Sequence, residues 1–211
     1  MAKSTSLDSA LEKYKGGGGG FFGLSDDKDT AVVRFLIGKE LVPEEDWFVA
    51  HEIEVEGKKR WAQCTEEGDC PLCKSGIKPQ IKLFLQLEDG RDGEVKVWER
   101  GRKFIPKMTG LQTRAGALYT RKYEVERNGK KGSTDTTYEI YPMDPDNAMT
   151  EDQMLEKKGK LLSELDKNGL ILRMSHENMV LAAKGQYTLP KSDGSTQPSV
   201  RKETRQGSDV F

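Results

Sequence analysis

The sequence has few cysteines, few histidines and no long apolar run. No hydrophobic stretch approaches the roughly 20 residues that a membrane-spanning helix requires, and residues 1–14 lack the apolar core of a secretory signal. The three cysteines cannot all pair with one another, and they fall within ten positions. We therefore expect a protein without a membrane partner that stays in a reducing cytoplasm, where clustered thiols favour metal over disulfides.

Motifs for catalysis are also missing. The chain has no recognisable pair of catalytic carboxylates and no nucleophile motif. Residues 16–20 are five consecutive glycines, but the Lys-Ser/Thr of a phosphate-binding loop does not follow them. We predict that the protein is not an enzyme and that the glycine run is a flexible joint.

The charge is nearly balanced overall but unevenly distributed along the chain. The formal net charge is −1, yet residues 40–69 contain ten acidic and three basic residues. Residues 96–131 contain eleven basic and three acidic residues. Such a pattern is either a solvated face or the contact surface for a local anionic partner.

Composition divides the chain into three parts. We predict a flexible N-terminal arm over residues 1–30, a core domain over 31–190 and a disordered tail over 191–211, where apolar residues are scarce. The core is mainly β, and its predicted strands are 31–37, 47–55, 60–63, 81–87, 94–98, 118–126 and 136–141. Short helices are predicted over 100–112, where Pro106 limits the helix, over 150–165, where Thr150 and Gln153 resemble a capping box, and over 175–184.

Four residues have the spacing of a metal site. Two cysteines form a C-x-x-C knuckle, and a histidine and a third cysteine stand at opposite ends of a predicted hairpin. Four nitrogen and sulfur ligands make a closed tetrahedral site, which is the arrangement that zinc prefers. The alternative is three incidental cysteines and a surface histidine. The predicted zinc ligands are His51, Cys64, Cys70 and Cys73.

The predicted zinc is structural rather than catalytic. Zinc deaminases carry H-x-E and P-C-x-x-C motifs with one open coordination position. In this chain Ile53 stands where the glutamate would be and Asp69 where the proline would be, while Cys64 supplies a fourth ligand. We therefore expect one structural Zn²⁺ in a subdomain spanning about residues 47–78.

Basic and aromatic residues interleave between positions 96 and 131, as nonspecific binding of single-stranded nucleic acid requires. Because side chains alternate along a strand, Trp98 projects beside Lys96. We expect Phe104 to lie in the core, whereas Trp98 and Tyr123 either stack on bases or pack in the core. The residues predicted to contact DNA are Lys58, Arg60, Lys82, Lys96, Trp98, Arg100, Arg102, Lys103, Lys107, Arg114, Tyr119, Arg121, Lys122 and Tyr123.

Over roughly residues 1–125 the chain resembles the zinc-containing single-stranded DNA-binding, or helix-destabilising, proteins of T-even-type phages. The resemblance is carried by the metal spacing, by the strand at 31–36, by Trp61 before the first cysteine and by the segment 98–103. It implies an OB-fold barrel with an inserted structural zinc hairpin and short C-terminal helices, which agrees with the short strands predicted above.

The resemblance also implies a function and partners. We expect a sequence-independent protein that coats and protects single-stranded DNA during phage replication, recombination and repair, in the cytoplasm of the infected bacterial host. Neighbouring protomers would meet through Lys3, Ser4 and Thr5, and replication and recombination proteins would dock. The second hypothesis is a zinc-stabilised regulator or replication accessory factor that acts on duplex DNA or polymerase.

The C-terminal tip is a further candidate site. Single-strand binders of several kinds end in an acidic segment with a terminal phenylalanine, which partners capture. The alternative is an ordinary frayed terminus. The candidate residues are Asp209, Val210 and Phe211.

Overall fold

The protein is mainly β. The computed structural model describes residues 20–65, 68–133, 135–146, 148–158 and 171–189. The described strands are β1 (Thr30–Phe35), β2 (Trp47–Val55), β3 (Lys58–Gln63), β4 (Gln80–Asp89), β5 (Val95–Gly101), β6 (Arg121–Asn128) and β7 (Thr137–Pro145). The helices are α1 (Pro71–Lys74), α2 (Ile105–Ala115) and α3 (His176–Ala183), and residues 151–158 are also helical. None of the described helices is long and apolar enough to cross a membrane.

The seven strands form one open antiparallel sheet. Six of them follow the order β3-β2-β4-β1-β6-β7, and β5 pairs with β4 off this path. The first residues of β4 pair with β2, its last residues pair with β1, and residues 82–88 pair with β5. Because β2 and β1 follow one another along β4, the β2–β3 hairpin is set apart from the β1-β6-β7 part of the sheet.

β4 is buried on both faces. Leu83, Leu85 and Leu87 are fully buried in the main core. Alternation places Phe84 on the opposite face, where its ring lies 5.6 Å from that of Phe48 on β2. The period-two pattern is typical of a strand with one solvated face, but the second face is buried as well, since Phe84 packs with Phe48 of β2, Val97 of β5 and Ile171.

The predicted strands are confirmed, with small shifts at their ends. The helix predicted over 100–112 is corrected, because β5 continues into this segment and α2 begins only at Ile105. Pro106 lies in the first turn of α2, where a missing N–H breaks no intrahelical hydrogen bond. The capping box is confirmed: the N–H of Thr150 donates to Gln153 Oε1 (2.9 Å), and the N–H of Gln153 donates to Thr150 Oγ1 (3.3 Å).

The core takes in part of the segment that the sequence assigned to the N-terminal arm. Phe22 and Leu24 are buried in the main core, and the N–H of Phe22 donates to the carbonyl of Val97 on β5 at 2.8 Å. Residues 20–29 therefore pack with the core domain. The predictions that fall outside the described residues are the protomer contact at Lys3, Ser4 and Thr5, the tail 191–211 and the tip at Asp209, Val210 and Phe211.

A fully buried carboxylate closes the turn between β4 and β5. Asp89 accepts hydrogen bonds from Arg91 Nη2 and from Lys96 Nζ, both at 2.7 Å. Burial opposes ionisation of Asp89, but these hydrogen bonds outweigh it and lower the pKa of Asp89 to about 2 from its ordinary value of 3.8. The ionised form of Asp89 is therefore favoured more strongly in the folded chain than in the unfolded chain.

We expect the free energy of unfolding to fall as the pH drops from about 4 to about 2. Ionised Asp89 stabilises the fold fully above its unfolded-state pKa, and this contribution, about 2 kcal/mol, is lost as the folded carboxylate becomes protonated. Urea denaturation across this pH range measures the fall. Asp89→Asn should flatten it, whereas Asp92→Asn, at an exposed position, should retain it; an unchanged pH profile in Asp89→Asn would show that other carboxylates are responsible.

Candidate metal centre and cationic surface

One histidine and three cysteines meet at the open end of the β2–β3 hairpin. His51 lies on β2, and Cys64 directly follows β3. Cys70 precedes α1, and Cys73 lies within it. The ligand atoms of the four residues all lie within 4.8 Å of one another. The cluster can therefore hold a metal ion, as the spacing predicted.

The distances between the ligand atoms fit tetrahedral coordination. Cys64 Sγ and Cys73 Sγ are 3.7 Å apart, and His51 Nε2 lies 3.4 Å from Cys70 Sγ and 3.6 Å from Cys73 Sγ. With metal–sulfur bonds of about 2.3 Å and metal–nitrogen bonds of about 2.0 Å, tetrahedral angles place two sulfurs about 3.8 Å apart and a nitrogen and a sulfur about 3.5 Å apart. The donor atoms need little rearrangement to bind an ion between them.

The C-x-x-C segment folds as a tight knuckle, and a buried leucine fixes it to the neighbouring cluster. Pro71 opens α1, a position at which proline is favoured, and the N–H of Lys74 donates to the carbonyl of Cys70 at 3.0 Å. Leu72 is fully buried in a cluster that also contains Met179 of α3. The metal ligands and α3 therefore share one packed cluster.

The surroundings favour the metal-binding forms of two ligands. Ile77 O lies 2.8 Å from His51 Nδ1, which orients the ring so that Nε2 faces the sulfurs. Burial lowers the pKa of His51 and so favours the neutral imidazole that binds metals. Burial opposes ionisation of Cys70, but backbone N–H groups, chiefly that of Cys73, outweigh it and lower the pKa of Cys70. Cys73 is the exposed ligand, whereas the other three are buried.

Two of the aromatic residues predicted to contact DNA lie in the core instead. Trp98 is 1% exposed and Tyr123 is fully buried. Trp98 lies opposite Leu85 of β4, and since directly opposite residues share a face, its ring enters the main core. There it meets the ring of Phe104 at 5.0 Å, which packs against the core as expected. Stacking of Trp98 or Tyr123 on a base is therefore corrected to core packing.

Three of the predicted cationic contacts already have acidic partners. Lys82 lies 2.6 Å from Glu99, Lys96 binds Asp89, and Lys107 lies 3.0 Å from Glu139. Acidic side chains of the sheet compensate these charges, so the three lysines are weaker candidates for phosphate binding than the sequence indicated.

The remaining predicted cations have no acidic partner within 4.0 Å among the described residues. Lys58, Arg102, Lys103, Arg114 and Lys122 are exposed, while Arg60, Arg100 and Arg121 are half-buried. Tyr119 is half-buried too, and it packs against a small cluster around Leu36.

Arg100 is held between aromatic rings where β5 faces β7. Its guanidinium carbon lies 4.2 Å from the ring centroid of Trp98 and 4.1 Å from that of Tyr138. Burial lowers the pKa of Arg100, so this cation lies in a partly desolvated position. Arg127 Nη1 donates to the hydroxyl of Tyr138 at 2.9 Å. Tyr138 and Arg127 were not singled out from the sequence as neighbours of Arg100, because only the folded sheet brings β7 close to β5. The one signal in the sequence was that both residues flank the predicted hairpin turn at Asn128–Gly129.

No protein-family model and no curated protein matches the chain.

Proposed function

We propose that the protein binds single-stranded DNA without sequence preference and coats it. The observation that carries the proposal is the run of exposed cations Arg102 and Lys103 between β5 and α2, neither of which has an acidic partner among the described residues. In a chain with 34 basic and 35 acidic residues, such a run favours an external anion. A phosphate backbone is the anion that such a run of cations matches.

We also propose that the sheet is an OB-fold, a partly open five-stranded barrel that binds oligonucleotides. The supporting observation is connectivity: β1 pairs with both β4 and β6, α2 separates the β4–β5 and β6–β7 hairpins, and β2–β3 is an insertion. The ring of Tyr138 on β7 lies 5.1 Å from that of Trp98 on β5. Side chains of β5 and β7 therefore meet at the place where these two strands would close the barrel. In this fold the β4–β5 surface and its flanking loops bind the strand.

The proposed metal is a single structural zinc ion. Three thiolates and one imidazole in a tetrahedral set are the donors that zinc prefers. Because all four positions belong to the protein, the proposed ion offers no open position for substrate, and the proposed role is non-catalytic. The zinc would hold the β2–β3 hairpin and α1 together beside the DNA-binding surface.

The resemblance to helix-destabilising proteins of phages also supports a proposal about the processes and the compartment in which the protein acts. The protein would act in replication, recombination and repair in the cytoplasm of an infected bacterium, beside neighbouring protomers and replication and recombination proteins. The alternative, a factor that acts on duplex DNA or polymerase, would use α2 (Ile105–Ala115) as its reading helix.

Competition between oligo-dT and duplex DNA of equal length tests the proposal. We expect fluorescence anisotropy to report tighter binding of oligo-dT, with log affinity falling linearly against log salt by about 0.7 per phosphate contacted. Arg102→Gln and Lys103→Gln should each reduce this slope by about 0.7. Lys28→Gln is the matched control, since Lys28 is already paired with Glu126 at 2.9 Å. Preference for the duplex would favour the alternative, and absence of binding to either would refute both.

A further inference from the structure

Two cavities flank a single tryptophan. Trp47, the first residue of β2, lines a cavity of about 480 Å³ beside Cys64 and Met179, and also one of about 490 Å³ beside α2. The side chain is half-buried and packs against the main core. Its indole is therefore accessible from a cavity that has the volume of a small-molecule site.

The cavity beside α2 has the chemistry of a nucleobase site. Leu41, Ile81 and Ile105 supply apolar walls. Thr109 and Thr113 of α2 supply hydroxyl oxygens that can accept hydrogen bonds, while their hydroxyl protons are donated to backbone carbonyls of the helix. A planar heteroaromatic ring needs an aromatic face to stack on, apolar surroundings and neutral hydrogen-bonding groups at its edge. The cavity offers all three.

A cation for an adjoining phosphate lies at the rim, and a second lies near the cavity in sequence. Lys39 lines the cavity, and Lys103 lies two residues before Ile105; neither has an acidic partner among the described residues. Glu40 lines the same rim. This carboxylate disfavours a phosphate inside the cavity, so the uncharged base fits the interior and the phosphates fit the cationic surface outside.

Two other accessible aromatic side chains, Trp61 and Tyr141, are less suited to stacking. Lys82 Nζ lies 4.0 Å from the ring centroid of Trp61 and covers that ring. Tyr141 is 47% exposed, but its hydroxyl donates to Glu126 Oε2 at 3.4 Å, and Glu139 lies two residues before it on β7. These acids would repel a phosphate backbone.

We propose that a nucleobase of single-stranded DNA stacks on Trp47 in the cavity beside α2. The inference rests on the proposed function. It assigns to Trp47 the base-stacking role that was predicted for Trp98 and Tyr123, which are buried in the core instead. It places the bound strand along the base of the β2–β3 insertion, with α2 as the opposite wall.

The first test compares Trp47→Leu with the unmodified chain in binding to oligo-dT. We expect affinity to fall about 5- to 150-fold, the loss that corresponds to one stacked base. The dependence on salt should stay unchanged, because no phosphate contact is removed. Trp47→Phe keeps an aromatic face and should recover most of the affinity, and Tyr141→Leu is the matched control that should bind normally.

The second test uses the unmodified protein. Oligonucleotides that carry 5-bromodeoxyuridine should crosslink on irradiation to the tryptic peptide 40–58, which contains Trp47. Crosslinks confined to other peptides, together with normal binding by Trp47→Leu, would overturn this inference while leaving single-strand binding intact. If the unmodified protein does not bind oligo-dT, the proposed function itself fails.

Discussion

Cys70→Ser is expected to abolish metal binding and to unfold the region around the metal centre. Binding of structural zinc releases about 10–16 kcal/mol in small zinc domains, whereas whole domains are stable by only about 5–15 kcal/mol. Leu72 and Met179 pack in one cluster with Cys64 and Cys70, so loss of the ion should loosen α1 and α3 together. The main core around β1 and β4 is a separate cluster and should persist.

Metal analysis and limited proteolysis measure this effect. The unmodified chain should contain one zinc, and Cys70→Ser should contain none and be cleaved within residues 64–78. Lys74→Gln is the matched control, since this exposed side chain lies in the same knuckle and pairs with exposed Asp69. A Cys70→Ser variant that keeps both its zinc and its protease resistance would show that the cluster is not a structural metal site.

The metal cluster was predictable from the sequence because its geometry is local. A hairpin brings its two ends together, so His51 and Cys64 must approach one another, and a C-x-x-C knuckle directs two thiolates to one point. The positioning of Ile77 O against His51 was not predictable, since it depends on how the chain after the knuckle returns to the sheet.

The orientation of β5 was not predictable from alternation. Lys96, Trp98 and Arg100 share one face, and two cations on a face usually mark it as solvated. In the fold that face points inward, because buried Asp89 compensates Lys96 and the rings of Trp98 and Tyr138 enclose Arg100. Asp89 lies on β4 and Tyr138 on β7, so only the paired sheet reveals these two contacts.

Because Trp98 is buried, we expect its replacement to reduce stability rather than to remove a contact with DNA. Trp98→Ala should lower the free energy of unfolding by about 3–5 kcal/mol, the usual cost of deleting a large buried aromatic side chain. The ring contacts that would be lost include Phe22 at 5.4 Å and Tyr138 at 5.1 Å. Arg100 would also lose one of the rings that enclose it, and its half-buried charge would be less well stabilised.

Denaturant titration separates this expectation from a role in binding. Trp98→Phe retains an aromatic ring in the core and should restore most of the lost stability, and Tyr141→Ala, at an exposed position on β7, should cost little. Without denaturant, and provided that Trp98→Ala is folded, the variant should bind oligo-dT with an affinity close to that of the unmodified chain. The opposite pattern, with unchanged stability and weakened DNA binding, would mean that the Trp98 face opens to solvent when DNA binds. The side chain would then contact a base, and the core packing around β5 and β7 would describe only the free protein.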